Sequence, residues 1–198
     1  MGVTKEQAVQ NRERILEAAE RLFREKGVDA VGLAELMKEA GFTRGGFYNH
    51  FASKEAFCLE VLDRYFEDTR ATIGRTLRND SVAPLKRLRA YLDAQSKYLN
   101  KIGLRNGCLI GNFSAEASEH SEVIRKRIVE IFEEMRQAVA YCLRAAVKTG
   151  ALPRKTDCDE LAGFLNASMQ GAILQAKAER SAVAIERFKH LIFSTLLR

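Results

Sequence analysis

The 198-residue chain carries a formal net charge of +6, 46% hydrophobic residues and two prolines, Pro84 and Pro153, ample material for a seldom-interrupted core. Its four cysteines, Cys58, Cys108, Cys142 and Cys158, show no CxxC spacing and no His-Cys cluster, which argues for a reduced compartment and against a disulfide framework. No run approaches transmembrane length and MGVTKEQAVQ has no signal-peptide core, so a cytoplasmic protein without membrane association is expected; the positive balance permits nucleic-acid binding without requiring it.

Residues 1–7 read as frayed. A first helix is predicted from Ala8 to Lys26, with Ile15, Ala19, Leu22 and Phe23 on its inner face. Leu33, Leu36, Met37 and Ala40 recur at three- and four-residue spacing, one apolar stripe of a short helix. Gly41 follows at once, where a helix end favours a residue that tolerates positive φ. Thr43 can cap a second short helix with the body GGFYNHF, and Ser53 caps the next, begun by Lys54 and Glu55. Few enzymes need so short, glycine-rich and polar-aromatic a helix, but a reader of a DNA groove does.

A longer helix from Ser53 to about Leu77 carries Phe57, Val61, Leu62, Tyr65 and Phe66, and its length suits a connector to a second domain. RNDSVAP is a break, followed by a helix with Pro84 in its first turn that reaches about Asn100. Residues 101–107, KIGLRNG, form a loop. A short helix covers Cys108 to about Ser118, and Ser121 caps a long one ending at Lys148, with Glu122 placed well against the helix dipole. Asp157 or its neighbours start a helix through Arg180, and a final helix spans Ala184 to Arg198. No alternating Val/Ile/Thr run suggests a sheet. The expectation is an all-α protein, with a helix-turn-helix domain over 1–52 and a larger effector-sensing and dimerisation domain over 53–198.

Within the helix-turn-helix, Arg44 sits at the amino-terminal edge of the second helix and can reach a guanine edge or a phosphate. Gly45 and Gly46 remove side chains, so backbone N–H groups can approach phosphate. Tyr48, Asn49, His50 and Lys54 complete the candidate DNA contacts, whereas Phe47 and Phe51, four apart, are expected to pack inward against Leu36 and Phe23. Charge adds little, because Arg12, Arg14, Arg21, Arg24 and Lys26 alternate with Glu13, Glu17, Glu20 and Glu25.

The spacing of Ile15-Leu16, Ala18-Ala19, Leu22-Phe23, Gly27, Ala40-Gly41, Phe47-Tyr48, His50-Phe51 and Ser53-Lys54-Glu55 resembles the amino-terminal domain of the TetR/AcrR family of transcriptional repressors. That family often has Thr near the start of its second helix, where this chain has Gly32 and Leu33. The resemblance implies a repressor that binds double-stranded palindromic operator DNA as a homodimer and is released by a small-molecule effector. It also implies backbone contacts from Tyr48, His50 and Lys54.

In the second half, Gly163, Ala167 and Gly171, and also Ala172 and Ala176, recur at spacings that let another helix approach closely. Ile185, Phe188, Leu191, Ile192 and Leu196 make the last helix too apolar to leave in water. Either set serves a dimer face or an intramolecular core. Cys108 stands just after a loop at the start of a helix, with Arg105 nearby, and both raise the thiolate fraction. GCLIGNFSAEASEHSE and GAILQAKAERS are similar to the NemR-type branch of the family, which senses electrophiles and oxidants; the resemblance implies Cys108 as sensor and Lys177 as its neighbouring cation. The bland alternative is a buried, inert thiol.

A reversible ligand is the other reading of this half, with Tyr98, Phe113, Phe132, Phe164 and Met169 as candidate pocket residues, although such aromatics are commonly core. A thiol-dependent redox enzyme is a weaker rival, since no resolving partner is visible. No catalytic constellation, cofactor motif or metal-ligand spacing stands out. Glu116, Glu119 and His120 read as a solvated helix end rather than a metal site.

Overall fold

The computed structural model describes residues 4–197. Eight α-helices follow in chain order among them, and no strand occurs: α1 Lys5–Lys26, α2 Leu33–Glu39, α3 Lys54–Arg75, α4 Pro84–Ile102, α5 Leu109–Glu116, α6 Glu122–Lys148, α7 Cys158–Glu179 and α8 Val183–Leu191.

Helix α1 starts three residues earlier than its apolar pattern suggests. Thr4 Oγ1 accepts from the Gln7 N–H at 3.2 Å while Gln7 Oε1 accepts from the Thr4 N–H at 3.0 Å, a reciprocal capping box that satisfies two amides. Of the segment 1–7 expected to fray, residues 5–7 are therefore helical, and 1–3 lie outside the described residues. The other local signals act as expected. Ser53 Oγ accepts from the Ala56 N–H at 3.0 Å, and Ser121 Oγ from the Ile124 N–H at 3.1 Å. Asp157 accepts from the Asp159 and Glu160 N–H groups, both at 3.1 Å. Pro84 occupies the first turn of α4.

Three further segments differ from the sequence reading. The segment expected as a second short helix forms a 3₁₀ helix over Arg44–Asn49, with His50 and Phe51 beyond its end, and the Thr43 side chain makes no capping bond. Adjacent glycines weaken α-helix formation, and six residues between fixed ends favour the tighter winding. The short helix after the loop splits, with α5 ending at Glu116 and a 3₁₀ turn over Ala117–Glu119. The last helix relaxes after Leu191 into a π-type turn over Ile192–Leu196, closed by the Leu197 N–H on the Ile192 carbonyl at 2.9 Å; Arg198 lies outside the described residues.

The chain divides into two compact units. One comprises the described residues to Phe66 together with Leu109–Ile128; the other comprises Glu67–Cys108 and the described residues from Val129 onward. In the first, Phe23, Phe47 and Phe57 are fully buried and Phe51 nearly so. Phe57 is the hub: its ring meets Phe51 at 4.6 Å, Phe47 at 5.3 Å and Phe23 at 6.2 Å, all edge-on. The inward role expected of Phe47 and Phe51 holds. In the second unit, Leu77, Leu88, Leu143 and Ala162 belong to one apolar cluster, and Leu99, Met169, Ile173 and Ile185 to another. Its α3–α4 bend is pinned by Asp80, which accepts from Arg87 at 2.5 Å and from the Tyr141 hydroxyl at 2.9 Å.

Candidate functional site

The first unit presents an exposed polar face built on the 3₁₀ helix. Gly41 makes the turn that precedes it, at φ 83°, and the Phe42 N–H closes on the Met37 carbonyl at 2.7 Å. Arg14 lies over the Phe42 ring at 5.0 Å, and its guanidinium fills the space where a side chain at position 41 would begin. Arg44, Gly45, Tyr48, Asn49 and Lys54 are exposed, while Gly46 and His50 are half-buried. Tyr48 is 66% exposed although its ring stacks edge-on against the buried Phe47 at 5.3 Å, so the phenol is held out on a rigid base. Nothing lies within 4 Å of where a side chain at Gly45 would begin, which leaves that backbone open to a phosphate. Gly32, at the start of α2, supplies no side-chain cap, as its identity requires.

The mixed charge of α1 resolves into ion pairs. Arg64 reaches Glu13, Glu17 at 3.6 Å and Glu20 at 2.8 Å; Arg12 pairs with Glu60, Arg21 with Glu39, and Lys26 with Glu35. These carboxylates are engaged with cations of α1 or α3.

The second unit contains a small cavity of about 10 Å³, lined by Tyr91, Gln95, Met135, Asn166, Met169 and Gln170 among apolar neighbours. A water needs roughly 10–15 Å³, so the chamber is essentially closed. Its polar groups are uncharged. Gln95 Nε2 donates to the Tyr91 hydroxyl at 2.7 Å, and Asn166 Nδ2 is buried without a hydrogen-bond partner. Gln170 also donates to Cys108 Sγ at 3.7 Å, linking cavity and thiol. Cys108 is half-buried, the residue immediately before α5, and Lys177 Cδ lies 2.9 Å from where a side chain on the adjacent Gly107 would begin. The structure thus brings together Cys108, Lys177 and Met169 in one region of one unit; Arg105 is exposed.

The other three thiols are buried. Burial pushes Cys58 and Cys142 up to about 11 and also raises Cys158. Burial likewise raises the Tyr91 phenol well above its usual range; the Gln95 bond opposes this, and the charge of a Cys108 thiolate adds to it.

The aromatic residues considered for a pocket lie in different surroundings. Phe113 is fully buried in the first unit, edge-on to Phe23 at 5.6 Å, where it serves as core. Phe132 lines an open groove of about 560 Å³ between α6 and α7, together with Val129, Gly163 and Ala167. Phe164 is 56% exposed, and Tyr98 is half-buried. Helical spacing places residues on faces, but which face turns inward depends on partners remote in sequence. The two small-residue sets separate in the same way: Ala172 and Ala176 are buried, whereas Ala167 and Gly171 are exposed.

Glu116 is not the solvated helix end that its neighbourhood suggests. It accepts from the Val28 and Asp29 N–H groups at 2.6 and 3.1 Å, partners 88 and 87 residues away that no local pattern reveals. Among the described residues no cluster of His, Cys, Asp or Glu could hold a metal ion, and no helix is long and apolar enough to cross a membrane.

Residues 15–61 match the model of the tetR family of bacterial regulatory proteins, and residues 84–192 match the tetracyclin repressor-like carboxy-terminal domain. The chain is 39% identical over 186 residues to the HTH-type transcriptional repressor DhaR of Mycobacterium sp. (strain GP1), covering 94% of this chain and 92% of that protein. It is 30% identical to the HTH-type transcriptional repressor NemR of Escherichia coli (strain K12), covering 88% of each. The crystal structure of E. coli NemR in its reduced form superimposes with a TM-score of 0.84 at 28% identity, covering 93% of this chain and 96% of that one.

Proposed function

The chain belongs to the TetR family of bacterial regulatory proteins, and from that premise we propose that it is an operator-binding repressor whose release from DNA is triggered by alkylation of Cys108. Two protomers present their Arg44–Asn49 segments to successive major grooves of a palindrome, roughly 34–36 Å apart. Arg44 supplies base or phosphate recognition, while Tyr48, Asn49, His50 and Lys54 hold the reading element on the backbone. The outward face of α7, with Gly163, Ala167 and Gly171, and the exposed Leu191 and Leu196 of the last helix supply the second copy's docking surface.

One observation carries the sensor reading: of four thiols, only Cys108 is not buried, and it is the one beside Lys177 and Gln170. Its thiolate adds to the electrophilic carbon of an enone or maleimide; a sulfur–carbon bond forms, and the displaced π pair takes a proton from water. The enlarged sulfur no longer fits against Gln170, so the segment that leads into α5 shifts and the DNA-competent spacing is disfavoured. That the matching NemR structure is described as a reduced form accords with thiol chemistry in a relative.

The test compares wild type and Cys108→Ser on a palindromic duplex selected by the wild-type protein from a random library, before and after N-ethylmaleimide. Wild type should be released and Cys108→Ser retained. Equal release of both sinks the covalent reading. The alternative is a reversible neutral ligand whose carbonyl accepts from the unpartnered Asn166 amide, which requires the chamber to widen from its water-sized volume.

A further inference from the structure

The turn between α1 and α2 is held by a side chain from far along the chain. Helix α1 ends where the Gly27 N–H closes on the Phe23 carbonyl at 3.1 Å, and Gly27 takes φ 93°. The two N–H groups that follow, on Val28 and Asp29, have no helical acceptor. Both point to the Glu116 carboxylate, at 2.6 and 3.1 Å. A side chain on Gly27 would begin 2.7 Å from both Glu116 oxygens, so the glycine is required by the carboxylate as well as by the turn.

A second strut stands one helical turn earlier on the same face of α5. Asn112 Nδ2 donates to the Phe23 carbonyl at 3.2 Å, the same oxygen that accepts Gly27, and the neighbouring Phe113 packs edge-on against the Phe23 ring. Val28 and Val31, at the two ends of the loop, are buried. The loop leads directly into α2, whose Met37 carbonyl accepts the Phe42 N–H and whose Met37 side chain lies 3.7 Å from where a side chain at Gly46 would begin.

We infer that Glu116 is a positioning residue for DNA reading: by binding the Val28 and Asp29 amides it fixes α2, and through α2 the Arg44–Asn49 segment. It touches no nucleic acid. Helix α5 is eight residues long, and Glu116 is its last residue. The positioning role itself concerns the unmodified protein and does not require the Cys108 reading.

The experiment measures binding of the full-length protein to the duplex selected by wild type and to a scrambled duplex of equal length, across a salt series. Glu116→Ala should weaken binding to the selected duplex roughly tenfold, the scale of losing a charged hydrogen-bond acceptor. Binding to the scrambled duplex and the salt slope should not change, since no phosphate contact is removed. Glu116→Gln, which keeps an acceptor at the same reach, should recover most of the loss. Glu116→Asp, which keeps the charge but is one methylene short, should not. An unchanged selected-to-scrambled ratio in folded Glu116→Ala overturns the inference, even if the melting temperature falls. Should Glu116→Ala not fold, a wild-type ratio in Glu116→Asp overturns it equally.

Discussion

Lys54 is the first residue of α3, and replacing its exposed side chain leaves the local fold intact because Ser53 Oγ holds that helix end through the Ala56 N–H at 3.0 Å. Lys54→Ala therefore removes a charge from the face proposed to meet DNA and little else. Each phosphate contact contributes about 0.9 to the slope of log affinity against log salt. A dimer carries two copies of Lys54, so the variant should flatten the slope by about 1.8. Between about 50 and 200 mM salt, a fourfold change, wild type should lose roughly twelvefold more affinity than the variant. The assay is fluorescence anisotropy on the selected palindrome and on a scrambled duplex, and both should weaken, because a phosphate contact carries no sequence information. Lys101→Ala, exposed near the end of α4, serves as the charge-matched control with an unchanged slope. A folded Lys54→Ala dimer with the wild-type slope would refute the placement of this residue on the DNA backbone.

Arg44→Ala should weaken the selected palindrome more than the scrambled duplex if it reads a base edge, by about 1–3 kcal/mol per half-site; an equal loss on both assigns it to phosphate instead. Mass-spectrometric mapping with iodoacetamide at pH 7.5 should find Cys108 labelled first, because burial raises Cys58 and Cys142 to about 11 and keeps them protonated until pH nears that value or the chain unfolds. Gly171→Leu adds a side chain where nothing lies within 4 Å in the protomer, so it should leave the protomer folded yet shift sedimentation toward monomer; an intact dimer would move the docking face elsewhere. Asp80 is held below its ordinary 3.8 first by the Tyr141 hydroxyl and then by Arg87. A depressed carboxylate stabilises above its unfolded value and loses that contribution as pH falls through the folded one, so Asp80→Asn should flatten the acid limb below pH 4 in a melting series; an acid limb identical to wild type would deny the bend this role.

Local chemistry was legible in the amino-acid sequence because its partners are three or four residues apart. The apolar spacing of Leu33, Leu36, Met37 and Ala40 fixed a helical stripe, Gly41 its end, and Ser53, Ser121 and Asp157 the starts of α3, α6 and α7, each through a bond to a nearby amide. The capping box at Thr4 and Gln7 carries the same kind of signal, in TKEQ, but lies outside the apolar periodicity that marked α1. Tertiary structure decided what depends on residues far apart. Helical spacing gave Phe113, Phe132 and Phe164 equal claims to a pocket; folding put the first in the core against Phe23, the second in an open groove and the third in solvent. It also separated the buried Cys58, Cys142 and Cys158 from Cys108, since the depth of a side chain is set by whichever elements pack over it. Glu116 shows the divide most directly. A carboxylate at a short helix's end looks solvated by every local rule, and only the approach of the α1–α2 turn supplies two amides that make water unnecessary.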